Sequence, residues 1–205
     1  MLRVVLTGNA GAGKTTVAKF LTGLGATIID ADAIVRELQA SGSPYLGKLA
    51  DAFGLDIITQ SGSLDRARLR RIILQDESAR KRLNAMLHPA VHRRRSELEA
   101  EARESGAAVV VHDIPLFFEL MNPADFPVVI LVDADEGVRM KRLTARGLSK
   151  EEAVALMATQ MDPSQKRRGA THVIENNGTL AALRERTAEV WNDVIDTAKH
   201  QLDRE

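Results

Sequence analysis

The eight residues from Gly8 to Thr15, GNAGAGKT, fit the pattern GxxxxGK[ST] and constrain the fold more than any other part of the chain. They follow the apolar, β-branched run Leu2-Arg3-Val4-Val5-Leu6 and precede Thr16-Val17-Ala18-Lys19-Phe20-Leu21, which has a helical pattern. A strand leading through such a loop into a helix separates a phosphate-binding loop from a chance match. The glycines let successive backbone N–H groups curl around phosphate oxygens, and the helix that follows turns its positive end toward them. Asn9, Ala10, Gly11, Ala12, Gly13, Lys14, Thr15 and Thr16 are therefore the expected nucleotide contacts. Lys14 is expected at the β and γ phosphates, and Thr15 is expected to offer its hydroxyl to Mg²⁺. Such a loop identifies a nucleoside triphosphate, not a reaction.

Further apolar runs at Thr27 to Ile29, Ala108 to Val111 and Val128 to Val132, with a weaker one at Thr171 to Glu175, are separated by segments of helical periodicity. Near-continuous apolar strands alternating with helices predict a parallel sheet covered on both faces, a doubly wound α/β pattern. The stretch between the second and third strands is far longer than one crossover helix needs. It is mainly helical in pattern, with breaks at Ser41-Gly42-Ser43-Pro44 and Gln60-Ser61-Gly62-Ser63. The expected organisation is one domain over 1–205, with a nucleotide core of 1–32 and 105–205 and a helical acceptor-binding insertion at 33–104.

Composition limits the function classes. The chain has no cysteine, which excludes disulfides and thiolate metal sites. No apolar stretch approaches the ~20 residues of a membrane span, and the first apolar run is too short for a signal peptide. A soluble, unprocessed, cytoplasmic protein is expected. Lys plus Arg, 28, equals Asp plus Glu, 28, which argues against a nucleic-acid binder. The neutral total hides a local asymmetry: between Leu64 and Arg95 ten basic residues face only Asp65, Asp76 and Glu77. Such a block either faces an anion or is a solvated helical face balanced by the acidic residues after it.

Other candidate groups lie at strand ends, where ligands of such sheets bind. Asp113 ends the third strand and is placed either to hold Mg²⁺ through water or to cap the segment containing Pro115. Asp30 and Asp32 end the second strand. Asp32, before Ala33-Ile34-Val35-Arg36, reads as a helix N-cap and also as a group that accepts a hydrogen bond from an attacking hydroxyl. After the fourth strand, Arg139, Arg142 and Arg146 share one helical face in a basic segment at 139–168. That segment is either a lid or an exposed helix paired with Glu151 and Glu152. Arginine stabilisation of a transferring phosphoryl group is worth about 10³ to 10⁵ in rate, reason enough to bring such a helix over the site.

With these pieces placed, the sequence resembles the dephospho-coenzyme A kinase family nearly end to end. The resemblance rests on LTGNAGAGKTTVA, IDADAIVRE, LHPAV with His88-Pro89, DIPLFFE from Asp113 to Glu119, RLTARGLSKEEA, and Gln160 and Lys166 before VIENNG. It implies a three-layer α/β/α phosphate-loop nucleoside triphosphate hydrolase fold with a five-stranded parallel sheet, a helical acceptor domain and a mobile lid. It further implies transfer of the γ-phosphoryl of ATP to the ribose 3′-hydroxyl of dephospho-coenzyme A, with Mg²⁺. On the matching motifs, Asp32 looks like the base or hydroxyl-orienting group, Lys14 and Arg142 like electrostatic stabilisers, and ENNG, Glu175 to Gly178, like part of the adenine-side loop, with Asn177 and Gly178 as its nucleotide contacts. Asp32, Arg36, His88 and Arg139 are the expected acceptor contacts, although His88 reads equally as a core histidine fixed by a proline turn. A monomer or weak homo-oligomer is expected.

The sequence departs from that pattern at two places. Asn9 stands where the family often repeats glycine, and a left-handed conformation at asparagine would let the loop form. Thr171-His172 stands where the family commonly has Ala-Asp, which would alter any lid or base contact made there. Rival readings are another small-molecule kinase on the same scaffold, which the acceptor motifs disfavour, and a nucleotide switch. Asp51-Ala52-Phe53-Gly54 matches the DxxG of a switch, but it follows a helical run and no NKxD motif accompanies it.

Overall fold

The structure, a computed structural model, describes residues 1–202. In chain order its elements are β1 (Leu2–Gly8), α1 (Lys14–Gly23), β2 (Thr27–Asp30), α2 (Ala31–Leu38), α3 (Pro44–Phe53), α4 (Arg66–Gln75) and α5 (Glu77–Glu104). There follow β3 (Val109–Asp113), α6 (Phe117–Leu120), β4 (Val128–Asp133), α7 (Glu136–Ala145), α8 (Lys150–Ala158), α9 (Pro163–Gly169), β5 (His172–Glu175) and α10 (Leu180–Leu202). The chain forms two compact units, one of Met1–Ile29 with Glu101–Glu205 and one of Asp30–Ala100. Among the described residues no helix is long and apolar enough to cross a membrane.

The first unit is built on the five-stranded parallel sheet, in the order β2-β3-β1-β4-β5. β1 is its centre because Val4, Val5 and Leu6 are apolar on both faces and all are fully buried. Its register sets Leu6 beside Asp113 on one side and Gly8 beside Val132 on the other, so the loop leaving β1 opens at the middle of the carboxyl edge. Only glycine fits at position 8, since a Cβ there would sit 2.6 Å from the Val132 carbonyl oxygen. α1 lays Val17 and Leu21 on the core, and α10 covers the same face with Leu183, Val190, Trp191, Val194 and Ala198. The spacing of those five residues is that of one helical stripe, and burying each large side chain is worth about 1.5–3 kcal/mol.

The second unit has its own apolar core of Leu46, Leu49, Ile57, Leu64, Leu69, Leu83 and Leu87. Its helices stop where the sequence breaks. Ser43 caps α3 with Pro44 in its first turn, and Asp65 caps α4 by accepting the Arg68 N–H at 2.9 Å. Between them the Gln60 to Ser63 break is a tight turn, with Gly62 at φ 75° and a bridge joining Ile58 to Leu64. Pro89 lies inside α5, not in a turn, and His88 beside it is exposed. The core-histidine reading of His88 is therefore wrong. A proline within a helix removes one backbone bond without ending it when the flanking turns are packed, as Leu83, Leu87 and Ala90 are.

Candidate functional site

The phosphate loop takes its shape from two glycines. Gly11 has φ 79° and Gly13 φ 103°, whereas among the described residues no non-glycine has positive φ, so Asn9 does not adopt the left-handed conformation expected of it. Asn9 instead is buried, and its carbonyl accepts the Ala12 N–H at 3.0 Å to close the loop. A Cβ on Gly11 would sit 2.8 Å from the Arg139 carbonyl oxygen, and one on Gly13 would run into the side-chain nitrogen of Asn176. Lys14 and Thr15 then open α1, whose first N–H groups have no partner within the helix.

Lys14 Nζ is ion-paired with Asp113 Oδ1 at the loop. Asp113 ends β3, as expected. The helix after it, α6, starts at Phe117 with no side-chain cap from its N-cap residue Leu116. Thr15 is exposed in the first turn of α1. Among the described residues no group of three or more His, Cys, Asp or Glu side chains forms a metal cluster. One hydroxyl and one carboxylate still suit Mg²⁺, which keeps several waters and takes further oxygens from substrate phosphates.

A second layer grips the loop from α7 and the end of β5. Arg142 Nη1 donates to the carbonyls of Gly11 and Ala12, both at 3.3 Å, and its Nη2 donates to the carbonyl and side-chain oxygens of Asn176 at 3.0 and 3.2 Å. Asn176 donates in turn to the Ala12 carbonyl at 2.7 Å. Arg142 thus spends its donors on loop carbonyls. Arg139 is buried with its carbonyl against Gly11, and its Nε has no hydrogen-bond partner. Arg146 lies just past the end of α7. A cavity of about 410 Å³ is walled by Gly13, Thr16, Arg142, Arg146, Asn176 and Gly178 among others. Asn177 accepts the Asp135 N–H at 2.8 Å. Asn176 lies in the ENNG stretch expected on the adenine side, but it is not among the contacts expected there; its bonds to Ala12 and Arg142 make it the residue of that stretch that holds the loop.

The basic segment at 139–168 is not a solvated helix balanced by Glu151 and Glu152. Glu152 closes a capping box with Ser149 at the start of α8. Lys166 is fully buried and paired with Glu119 at 2.6 Å, and Arg167 bridges Asp133 and Glu175 at 2.6 and 2.8 Å. The hydrogen bonds Arg167 donates to the Glu175 and Asp133 carboxylates raise its pKa further. Thr171 lies at the amino end of β5, where its hydroxyl accepts the Val129 N–H at 2.9 Å and donates to the Val129 carbonyl at 3.0 Å. It is therefore a strand-pairing residue at the sheet edge opposite the phosphate loop, and its replacement of the usual aspartate disturbs no contact on the loop side.

Within the second unit, Asp30 and not Asp32 is the N-cap of α2, accepting the Ala33 N–H at 2.9 Å. The expected cap was two residues late, because the strand's extended backbone ends at Asp30 and Asp32 already has helical geometry. Arg36 folds back onto Asp30 at 3.1 Å, and Asp32 is exposed in the first turn. The basic block divides into two kinds. Arg68 pairs with Asp56, Arg80 and Lys81 with Glu77, Arg94 with Glu37 and Glu97, and Arg82 lies over the Phe53 ring. Arg66, Arg70 and Arg71 instead line one open recess of about 520 Å³ with Ala67 and Leu74.

A phosphate loop clasped from β5 is compatible with many phosphotransferases, and comparison with known proteins narrows the choice. The family model described as CoaE, dephospho-CoA kinase, matches residues 2–182. The dephospho-CoA kinase of Thermobifida fusca is 43% identical over 195 residues, 95% of this chain and 96% of the relative. A Thermus thermophilus crystal structure superposes with TM-score 0.78 at 34% identity, over 94% of this chain and 96% of the other. The dephospho-CoA kinase of Campylobacter jejuni does so with TM-score 0.71 at 26% identity, again over 94% and 96%. A match of this extent takes in both the nucleotide loop and the helical stretch after β2, and the chain belongs to the dephospho-CoA kinase family.

Proposed function

We propose that this chain transfers the γ-phosphoryl group of ATP to the ribose 3′-hydroxyl of dephospho-coenzyme A, giving coenzyme A and ADP, the last step of coenzyme A synthesis. The observation that carries the reading is the glycine-shaped loop with Lys14 held at Asp113, in a chain matched by the family model over residues 2–182. The work divides between a nucleotide core (1–32 and 105–205), an acceptor-binding insertion (33–104) and a lid (139–168). The protein acts in the cytoplasm as a monomer or weak homo-oligomer.

In a loose phosphoryl-transfer transition state, positioning and charge neutralisation outweigh proton abstraction. The loop N–H groups and Lys14 bind the β and γ phosphates, with Asp113 keeping the ammonium in place until then. The recess beside Gly13, Thr16 and Gly178 takes the adenine side of the nucleotide, which the neighbouring Arg142 supports by fixing the loop. Arg139 brings a buried cation whose desolvation cost a bound triphosphate offsets. Thr15 and Asp113 would hold Mg²⁺, which would supply neutralisation of phosphate charge. Asp32, carried over from the DADAIVRE motif, orients the 3′-hydroxyl and accepts its proton late. Arg36 and His88 contact the acceptor, and Arg66, Arg70 and Arg71 meet its pyrophosphate. A coupled ADP-release assay with dephospho-coenzyme A, adenosine and nucleoside monophosphates tests the reading. Only the first should turn over well; equal turnover of a nucleoside monophosphate would replace it with a different kinase activity.

A further inference from the structure

Gln160 and Glu119 have no part in the chemistry above, yet they are joined to the phosphate loop by a short chain of bonds. The Ala10 N–H, inside the loop, donates to Gln160 Oε1 at 2.9 Å. The next residue, Met161, donates its backbone N–H to Glu119 Oε1 at 3.0 Å, and the same oxygen is paired with Lys166 Nζ at 2.6 Å. Lys166 is fully buried, so its charge has one neutralising carboxylate and little water. The segment is pinned a second time at Gly169, where a Cβ would sit 2.7 Å from the Phe118 ring. Residues 160 to 169 are thereby seated on α6 from both ends, and Gln160 reaches from them to the loop.

We propose that Glu119 and Lys166 are positioning residues that hold Gln160 against Ala10, and that Gln160 fixes the orientation of the Ala10 peptide so that the loop is preorganised for the triphosphate. The physical need is plain. A phosphate loop works by aiming several N–H groups at one anion, and its non-glycine residues Asn9, Ala10 and Ala12 alternate with glycines that leave the backbone free to turn. A peptide without an anchor must be ordered by the nucleotide at the expense of binding or of transition-state alignment. Burial pushes the Glu119 carboxyl up, but the Lys166 and Met161 hydrogen bonds and the Lys166 charge outweigh it, and its pKa lies below the usual glutamate range. The anchor is therefore charged across the neutral range.

The inference rests on the ATP-site reading, and its test is read first without substrate. Amide hydrogen exchange at Ala10 in the nucleotide-free full chain should rise about tenfold in Gln160→Met, which keeps size and removes the acceptor. It should rise similarly in Glu119→Gln combined with Lys166→Met, a neutral pair that leaves no buried charge unmatched. Exchange in the core strand β1 should stay unchanged in both. With substrates, kcat/KM for ATP should fall by about 10 to 100-fold while the acceptor KM holds, and the triple variant should be no worse than Gln160→Met alone. Unchanged Ala10 exchange in either variant, or losses that multiply in the triple variant, would overturn the relay. An unexpected acceptor would unseat the functional reading and leave the exchange result standing.

Discussion

The side-chain nitrogen of Asn176 donates to the Ala12 carbonyl at 2.7 Å across 164 residues of sequence, and it is the atom a Cβ on Gly13 would strike. Loop and β5 end are thus fitted to one another. Gly13→Ala should lower ATP affinity by at least about tenfold, since φ 103° alone costs a side chain about 1–2 kcal/mol and Asn176 must also move. Asn176→Ala should cost about 1–3 kcal/mol of stability, read by urea unfolding, because the Ala12 carbonyl keeps only the longer Arg142 bond and Arg142 loses the Asn176 side-chain acceptor. The double variant should be less than additive, as the collision is gone. Wild-type ATP binding by Gly13→Ala would show that the loop does not need this fit.

Lys14 and Asp32 should separate by what each loses. Asp32→Asn should lower kcat by about 10² to 10⁴ while ATP binding persists, as expected for a group that acts only on the acceptor hydroxyl. Lys14→Ala should lose both turnover and ATP affinity, since its charge acts on ground and transition states together and its removal also leaves Asp113 without its ammonium. Isothermal titration with ATP and a turnover assay measure the two. A near-normal kcat in Asp32→Asn would remove that residue from the mechanism.

The arginines of α4 offer a sharper comparison than reversing them all. Arg70→Glu and Arg71→Glu change the charge of the recess they share with Arg66, and should raise the acceptor KM about tenfold or more with the ATP KM unchanged. Arg68→Ala breaks an exposed pair with Asp56 and should change stability by no more than about 1 kcal/mol and neither KM. If Arg68→Ala and Arg70→Glu had the same effect on the acceptor, the recess would not be where the acceptor's phosphates lie.

The sheet was legible because each strand is a continuous apolar run, and such runs have one stable use in a chain that alternates them with helices. The loop was legible because the glycine spacing has a backbone reason. The site's supports were less so. Whether Asp30 or Asp32 caps α2 depends on where the backbone leaves the extended region, which neither residue's identity decides. Arg142 carries the charge of a phosphate ligand, yet its four hydrogen bonds go to loop and Asn176 oxygens, and helical spacing says only which residues share a face. Glu119 and Lys166 are opposite charges far apart in sequence, with nothing local to pair them. Thr171 looked like a lost functional group because a motif position carries no direction along the sheet.

The Glu119–Lys166 pair also makes a prediction about acid. Glu119 has a folded-state pKa below its usual value, so the folded state binds fewer protons at this group than the unfolded chain does. Its contribution is present above the ordinary glutamate value of about 4.3 and is lost as pH falls through the lower folded value. Glu119→Gln should therefore cost about 3–5 kcal/mol at pH 7, mainly through the buried Lys166 charge left without a partner. The deficit should shrink below about pH 4, where the wild-type carboxylate is itself being protonated. Urea unfolding of both proteins from pH 7 to pH 3 measures the gap. A deficit that stayed constant down to pH 3 would mean that Glu119 stabilises the fold through its shape and its Met161 hydrogen bond, with no net contribution from the charge.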